Sequence, residues 1–376
     1  VVRHNCGIND VTLSVPDYIE AIEPYQPGKP LEELAREYGI RDAVKLASNE
    51  NPLGPSPKAI AAIRESLAQL HRYPDGRGAG LTAKLADKLG VDAHSIVLGN
   101  GSDDVIGMLT RALLRPGDES LMPRPSFLMY AIAVRSVGAA PVFVALNDKL
   151  AIDLEALRDR VTSRTRLVFL CNPNNPTGTV IGADALEAFL RDLPPTVTVV
   201  LDEAYVEFVR DPACASGLRH LNGDRPVVTL RTFSKAYGLA GLRIGYGVMP
   251  PDLANLLHRI RQPFNAGSLA QVGAAAALDD VAFLQKTIRL VHSGLDDLFA
   301  RLARLGLRCF PTQSNFFLID VLTDADAVFE RLLSEGVIVR SMRSYGYPHY
   351  IRVNVGLPSE NHRFITALGR VLKRVT

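Results

Sequence analysis

The chain has 376 residues, too many for one small core, and two domains of unequal size are expected. Hydrophobic residues make up 47% and charged residues 22%, the balance of an ordinary globular protein. A net charge of +2, with Lys and Arg scattered, excludes the clustered positive field that nucleic acid or an acidic membrane surface would call for. The cysteines, Cys6, Cys171, Cys214 and Cys309, lie far apart and fit neither a zinc spacing nor a small disulfide scaffold. Free thiols are expected. The first ten residues carry no signal-peptide core and no apolar run reaches membrane length, so a cytoplasmic location is the expectation.

In chain order, Pro16, Pro24, Pro27 and Pro30 punctuate an N-terminal stretch that reads as having no strand of its own and as packing on a smaller domain. Ser56-Pro57, a cap followed by proline, opens a helix with Ile60, Ile63, Leu67 and Leu70 on one face. Leu81, Leu85 and Leu89 repeat the signal. Short apolar runs at 95–98, 141–145, 167–170, 197–201, 227–230 and 244–248 then alternate with helical stretches. Such runs fit strands buried on both faces, and the alternation predicts a mostly parallel sheet between helices. Beyond residue 263 the pattern changes. Residues 268–305 are nearly all helical in period; 316–320, 337–340 and 350–355 read as strands, and a last helix starts near Ser359. The expected division is a large domain at 46–264 and a smaller α+β domain made of 1–45 and 265–376.

Four segments carry chemistry. In Leu98-Gly-Asn-Gly-Ser102-Asp103, a strand, a glycine turn and a helix start present backbone N–H groups to an anion, although Ser102 or Asp103 capping the helix would produce the same pattern. Cys171-Asn-Pro-Asn-Asn175-Pro-Thr-Gly178 is rich in turn formers, yet it follows a strand at the end where ligands of open α/β sheets bind. Asp202, in Leu201-Asp202-Glu203-Ala204-Tyr205, ends another buried strand and needs a cation or strong donors there; the alternative is a capping Asp beside a surface Tyr. Lys235, in Arg231-Thr232-Phe233-Ser234-Lys235-Ala236-Tyr237-Gly238, sits between hydroxyls and small residues, with Arg243 following. A lone Lys is usually exposed; one enclosed in this way is a candidate for a depressed pKa and for bonding to a carbonyl carbon.

These segments resemble the fold-type I pyridoxal-phosphate (PLP) enzymes, the aspartate-aminotransferase superfamily, over nearly the whole chain. Within it the resemblance is closest to the histidinol-phosphate aminotransferases, on Pro24-Tyr25-Gln26, Ala47-Ser-Asn49-Glu-Asn-Pro52, Arg72-Tyr73-Pro-Asp-Gly76, the segments above and Tyr350-Ile-Arg352-Val-Asn-Val-Gly356. The resemblance implies an α/β large domain with a helix-sandwiched, mostly parallel sheet plus a smaller α+β domain. It also implies PLP as cofactor and a transamination of histidine biosynthesis between histidinol phosphate and 2-oxoglutarate, with glutamate as product. Lys235 then carries the cofactor, Asp202 partners its pyridine nitrogen, and Asn175 and Tyr205 bond its ring hydroxyl oxygen. Ser102, Asp103, Thr232, Ser234 and Arg243 form the phosphate cup. Phe127 takes the place of a Tyr that many relatives stack on the ring. Tyr73 corresponds to a residue reaching the neighbouring subunit's cofactor phosphate, which implies a homodimer with shared sites. Arg352 corresponds to the clamp on the substrate carboxylate, helped by Asn49, while Tyr25 and Arg340 match positions near the substrate's far end. An ordinary strand-end charge is the plainer reading of Arg340. The stretch 340–348, which contains Arg343 and Tyr345, departs from the enterobacterial pattern; relatives with aromatic residues there sometimes accept phenylalanine or tyrosine, which keeps open an aromatic-amino-acid aminotransferase. A threonine-phosphate decarboxylase-type lyase shares the scaffold. A transcription regulator built on it would need a DNA-binding module that the proline-rich residues 1–45 are too short to supply.

Overall fold

The computed structural model describes residues 14–25, 31–40 and 42–373. Cys6, Pro27 and Pro30 lie outside the described residues. A seven-stranded sheet dominates, in the spatial order Ile96–Gly99, Gly245–Val248, Val227–Thr232, Thr198–Asp202, Thr165–Cys171, Glu119–Arg124, Ala140–Ala145. Every pairing is parallel except the two made by Gly245–Val248. The central strands alternate strictly. Leu167, Phe169, Cys171 and Val200 face one core with the helices Ser102–Leu113, Met129–Arg135 and Pro251–Ile260. Val168, Leu170, Val199 and Leu201 face the other with Ala183–Asp192. A sheet covered on both faces needs apolar residues at every position, which is why these strands read as continuous apolar runs.

The smaller sheet is antiparallel, in the order Arg340–Ser341, Tyr350–Asn354, Phe316–Asp320, Arg308–Cys309. Its core joins Phe316, Phe317, Ile351 and Val353 to Leu298, Leu332 and Phe364 of the helices Val281–Arg304, Ala325–Ser334 and Pro358–Lys373. Tyr205, Phe208 and Ala236, from loops leaving the large sheet, enter the same cluster. The two sheets therefore meet at the segments that carry the chemistry.

Several expectations are corrected. The strand Glu119–Arg124 escapes the sequence pattern because Glu119, Pro123 and Arg124 interrupt its apolar character. Residues 337–340 do not form one strand. Val337–Ile338 pairs in parallel with Val44–Lys45, and Arg340–Ser341 turns to pair with Tyr350–Asn354. The N-terminal segment thus does supply a strand, after the short helices Asp17–Glu20 and Leu31–Tyr38. The long helical stretch breaks into Ser268–Leu278 and Val281–Arg304, the second capped by the Asp280 carboxylate on the Phe283 N–H. Helix Pro57–Ser66 is capped by Ser56, but Leu67 and Leu70 of its expected apolar face are exposed.

Candidate active site

A cavity of about 220 Å³ opens where the carboxyl ends of the large sheet's strands face the smaller sheet. Asp202, the last residue of its strand, forms part of the wall and is 3% exposed. One carboxylate oxygen accepts from the Tyr130 hydroxyl at 2.7 Å, the other from the Ala204 N–H at 3.2 Å. No cation among the described residues pairs with it, and burial pushes its pKa up to about 6 against the pull of the Tyr130 hydrogen bond. An enclosed carboxylate without a cation is costly unless a ligand supplies one.

Lys235 follows the strand Val227–Thr232, its Nζ donating to the Ser48 carbonyl at 3.1 Å and lying 5.7 Å from the Tyr205 ring centre. Burial, and after it the charge of Arg352, lowers its pKa to about 8. The Tyr205 hydroxyl accepts from the Asn49 amide at 3.0 Å, and burial raises the phenol's pKa. Asn49 donates its backbone N–H to the Asn354 side chain, and its own buried Oδ1 has no partner among the described residues. Arg352, 7% exposed, donates to the Asn175 side-chain oxygen at 2.5 Å and to the Ala47 carbonyl at 2.7 Å; its Nε has no partner among the described residues. Because Arg352 engages the oxygen of Asn175, the amide NH2 of that side chain is left available toward the cavity.

At another side of the cavity, Gly101 precedes the helix Ser102–Leu113 with φ +82° and no side chain caps the helix. The capping reading of Ser102 and Asp103 is therefore excluded, and the first N–H groups remain free for an anion. Arg243, at φ +54°, reaches across: its Nη2 lies 3.6 Å from the Asp103 carboxylate and its Nη1 3.5 Å from the Ser234 hydroxyl. The Thr232 hydroxyl accepts from the Ser234 N–H at 3.1 Å. The φ of +82° at Gly101 is one that side chains rarely adopt, and a Cβ there would stand 2.6 Å from the Arg243 guanidinium and push it aside.

Arg340 and Arg352 are direct partners across the antiparallel pair, and Tyr345 lies beside both, hydrogen-bonded to Arg340. Tyr25 completes this end, and Phe127 lines the wall near Asp202. The cavity thus gathers every expected site residue except Tyr73, which is 84% exposed and stacked on Phe264 at 4.7 Å. Arg343 turns away from it to the carboxylates of Asp324 and Asp326. Sequence reasoning missed Tyr130. The signal was its spacing, one helical turn beyond Phe127.

An amine with a lowered pKa, a carboxylate short of a cation and an anion cradle, all on strand ends, are the parts of carbonyl–amine chemistry on a phosphorylated group. The model of "Aminotransferase class I and II" matches residues 41–368. The chain belongs to that family. This aminotransferase is 49% identical over 366 residues to the histidinol-phosphate aminotransferase of Desulfotalea psychrophila, covering 96% of both chains. It is 49% identical to histidinol-phosphate aminotransferase 2 of Pseudomonas aeruginosa, over 94% of this chain and 96% of the relative. Its fold superposes on the Sinorhizobium meliloti histidinol-phosphate aminotransferase solved with pyridoxal-5'-phosphate, with a TM-score of 0.90 at 29% identity over 98% and 100% of the two chains. No group of His, Cys, Asp and Glu among the described residues forms a metal site, and no described helix of the aminotransferase is long and apolar enough to cross a membrane.

Proposed function

We propose that this aminotransferase uses PLP to exchange the amino group of L-histidinol phosphate with the oxo group of 2-oxoglutarate, giving imidazole-acetol phosphate and glutamate. Near-full-length identity to relatives bearing that name supports the reading. The residues present fit the cofactor. Asp202 is a buried carboxylate lacking a cation, and the uncapped helix start at Gly101 with Arg243 opposite is an anion cradle that a Cβ would fill. In this reading Asp202 holds the protonated ring nitrogen, while Asn175 and Tyr205 hold the ring hydroxyl oxygen. Ser102, Asp103, Thr232, Ser234 and Arg243 hold the phosphate, and Phe127 lies along the ring. The bound cofactor supplies an electron sink that acidifies the substrate's Cα–H. Lys235 would hold the cofactor and, as a free amine, would serve as base and then acid for the Cα proton. Tyr73 serves the neighbouring subunit's site in a homodimer. The wider reading keeps residues 46–264 as the large domain, with 1–45 and 265–376 as the smaller one. It also places the enzyme in the cytoplasm, in keeping with the free thiols of Cys171, Cys214 and Cys309.

The observation that carries the substrate assignment is the facing pair Arg340 and Arg352. Like charges directly opposite across strands repel unless an anion lies between or beside them. Histidinol phosphate brings a phosphate and no carboxylate; glutamate brings carboxylates. The two guanidinium groups therefore take different anions in the two half-reactions. Arg340 is half-buried, so its truncation is worth more than a surface pair. Arg340→Ala should lower kcat/KM for histidinol phosphate by roughly 10- to 1,000-fold, with a smaller effect on phenylalanine. Arg352→Ala should damage the glutamate half-reaction more. The assay pairs each amino donor with 2-oxoglutarate and monitors glutamate and carbon dioxide. Preferential use of phenylalanine would shift the assignment to an aromatic aminotransferase, which Tyr25 and Tyr345 at the cavity end would suit. Carbon dioxide release would shift it to a decarboxylase.

A further inference from the structure

Tyr130 is fully buried in the helix Met129–Arg135, behind the cavity wall. Its ring stacks on Phe169 at 4.6 Å, with planes 4° apart, and meets Phe127 edge-on at 5.5 Å. Its hydroxyl donates to Asp202 at 2.7 Å. We propose that Tyr130 is a positioning residue for the transamination, acting through Asp202 by holding that carboxylate, oriented and anionic, toward the cofactor's ring nitrogen. The inference rests on the cofactor reading above.

The titratable groups that face Asp202 include Tyr205, on the loop that follows its strand. Tyr130 is on its own helix, Cys171 on the neighbouring strand, Asp103 on the helix Ser102–Leu113, and Glu203 is next in the chain. Burial and the two acids push Asp202 toward its neutral form, and the thiol of Cys171 is kept protonated by its own burial. Tyr130 is the stronger of the two hydrogen bonds that oppose this; the Ala204 N–H is the other. The division of the proton is one-sided. Burial and then the charge of Asp202 hold the Tyr130 phenol well above its usual range, so the proton stays on the phenol and the charge on the carboxylate. The aromatic stack fixes the hydroxyl, and the hydroxyl fixes the carboxylate plane.

Tyr130→Phe keeps the ring and removes only the hydroxyl. In cofactor-free protein with carbon-13-labelled aspartate carboxyls, the Asp202 resonance is identified by its loss in Asp202→Asn. Its titration midpoint is expected to move to higher pH in Tyr130→Phe. The dissociation constant for PLP by equilibrium dialysis should rise about 10- to 100-fold, the worth of a hydrogen bond to a charged group. The acid limb of the kcat–pH profile, which reports the loaded enzyme, should also move to higher pH. With Asp202→Asn already present, Tyr130→Phe should cost no further PLP affinity. Phe169→Leu loosens the same packing but leaves the hydroxyl, so it should lower the thermal midpoint while moving the Asp202 titration less than Tyr130→Phe does. An unchanged Asp202 titration in Tyr130→Phe overturns the proposal, as does an equal loss of affinity with and without Asp202→Asn, or an equal shift in Phe169→Leu. If the wild-type protein fails to retain PLP, the cofactor reading fails instead, and the carboxyl titration still decides what Tyr130 does to Asp202.

Discussion

Lys235 sits among groups that mostly oppose its charge. Burial is the largest, followed by Arg352; Glu50 and Asp103 only partly offset them. The folded amine therefore loses its proton near pH 8, where a lysine in water would wait until about 10.4. Only the neutral amine attacks a carbonyl carbon, so its capture of PLP should accelerate as pH rises through about 8. The measurement is the growth of visible absorbance on adding PLP to cofactor-free protein across pH. Arg352→Ala should shift the midpoint upward, because a repelling cation is gone. A midpoint already in the ordinary lysine range in the wild type would mean that the amine is not enclosed. At this scale the lysine, its hydroxyl neighbours and Asp202 were legible, because each stands in a local segment with its own signature. Tyr130 was not, since its importance comes from a strand far away in sequence. Arg343, a charge next to a site segment, is committed to Asp324 and Asp326.

Between residues and whole chain, the strand ends are held in register by an ion pair beneath the cavity. Arg231, late in the strand Val227–Thr232, donates twice to Glu203 at 3.0 and 2.7 Å, and the other Glu203 oxygen accepts from the Gly217 N–H at 2.7 Å. The Glu203 side chain is 0% exposed and that of Arg231 16%. The pair ties the chain leaving Asp202 to the strand leading into Lys235. Removing one member of a buried pair leaves the other charge stranded and typically costs about 3–5 kcal/mol. Glu203→Gln should lower the urea midpoint accordingly, whereas Glu203→Leu combined with Arg231→Met should lose less than Glu203→Gln alone. Additive losses would show that the two residues contribute independently. Neither partner's role was readable from sequence, where Glu203 is one acid in a row of two. Element by element, legibility followed the purity of the pattern. Phe316–Asp320 is apolar up to its last residue and was read to its ends. Glu119–Arg124 carries a charge at each end and an internal proline and was missed. The run 337–340 is uniformly apolar before Arg340, so nothing local marks the point where it leaves one sheet for another.

For the whole molecule, one region stays apolar on the outside. Tyr73 at 84% exposure stacks on Phe264 at 43%, with Leu67 and Leu70 shortly before it in the chain and Ile260 shortly before Phe264. Single exposed apolar residues are ordinary, but a ring pair flanked by such residues is the composition of a protein interface. The periodicity of helix Pro57–Ser66 and the turn after it marks a single apolar face. A sequence reports that a face is apolar but not which molecule covers it. In a homodimer the covering surface is a second copy, and Tyr73, absent from its own cavity, is free to complete the partner's. The arrangement has a consequence that a monomer cannot imitate. In the proposed homodimer Tyr73→Phe should weaken PLP retention, and Lys235→Ala should abolish transamination. Refolding the two variants together yields hybrids in which one site combines Lys235 from the first chain with Tyr73 from the second, both native. The mixture should therefore recover PLP affinity at a fraction of its sites beyond what either variant shows alone, with sedimentation reporting a species of twice the chain mass. A fully active monomer, or a mixture no better than the average of its two parents, would mean that the exposed tyrosine serves no neighbouring site.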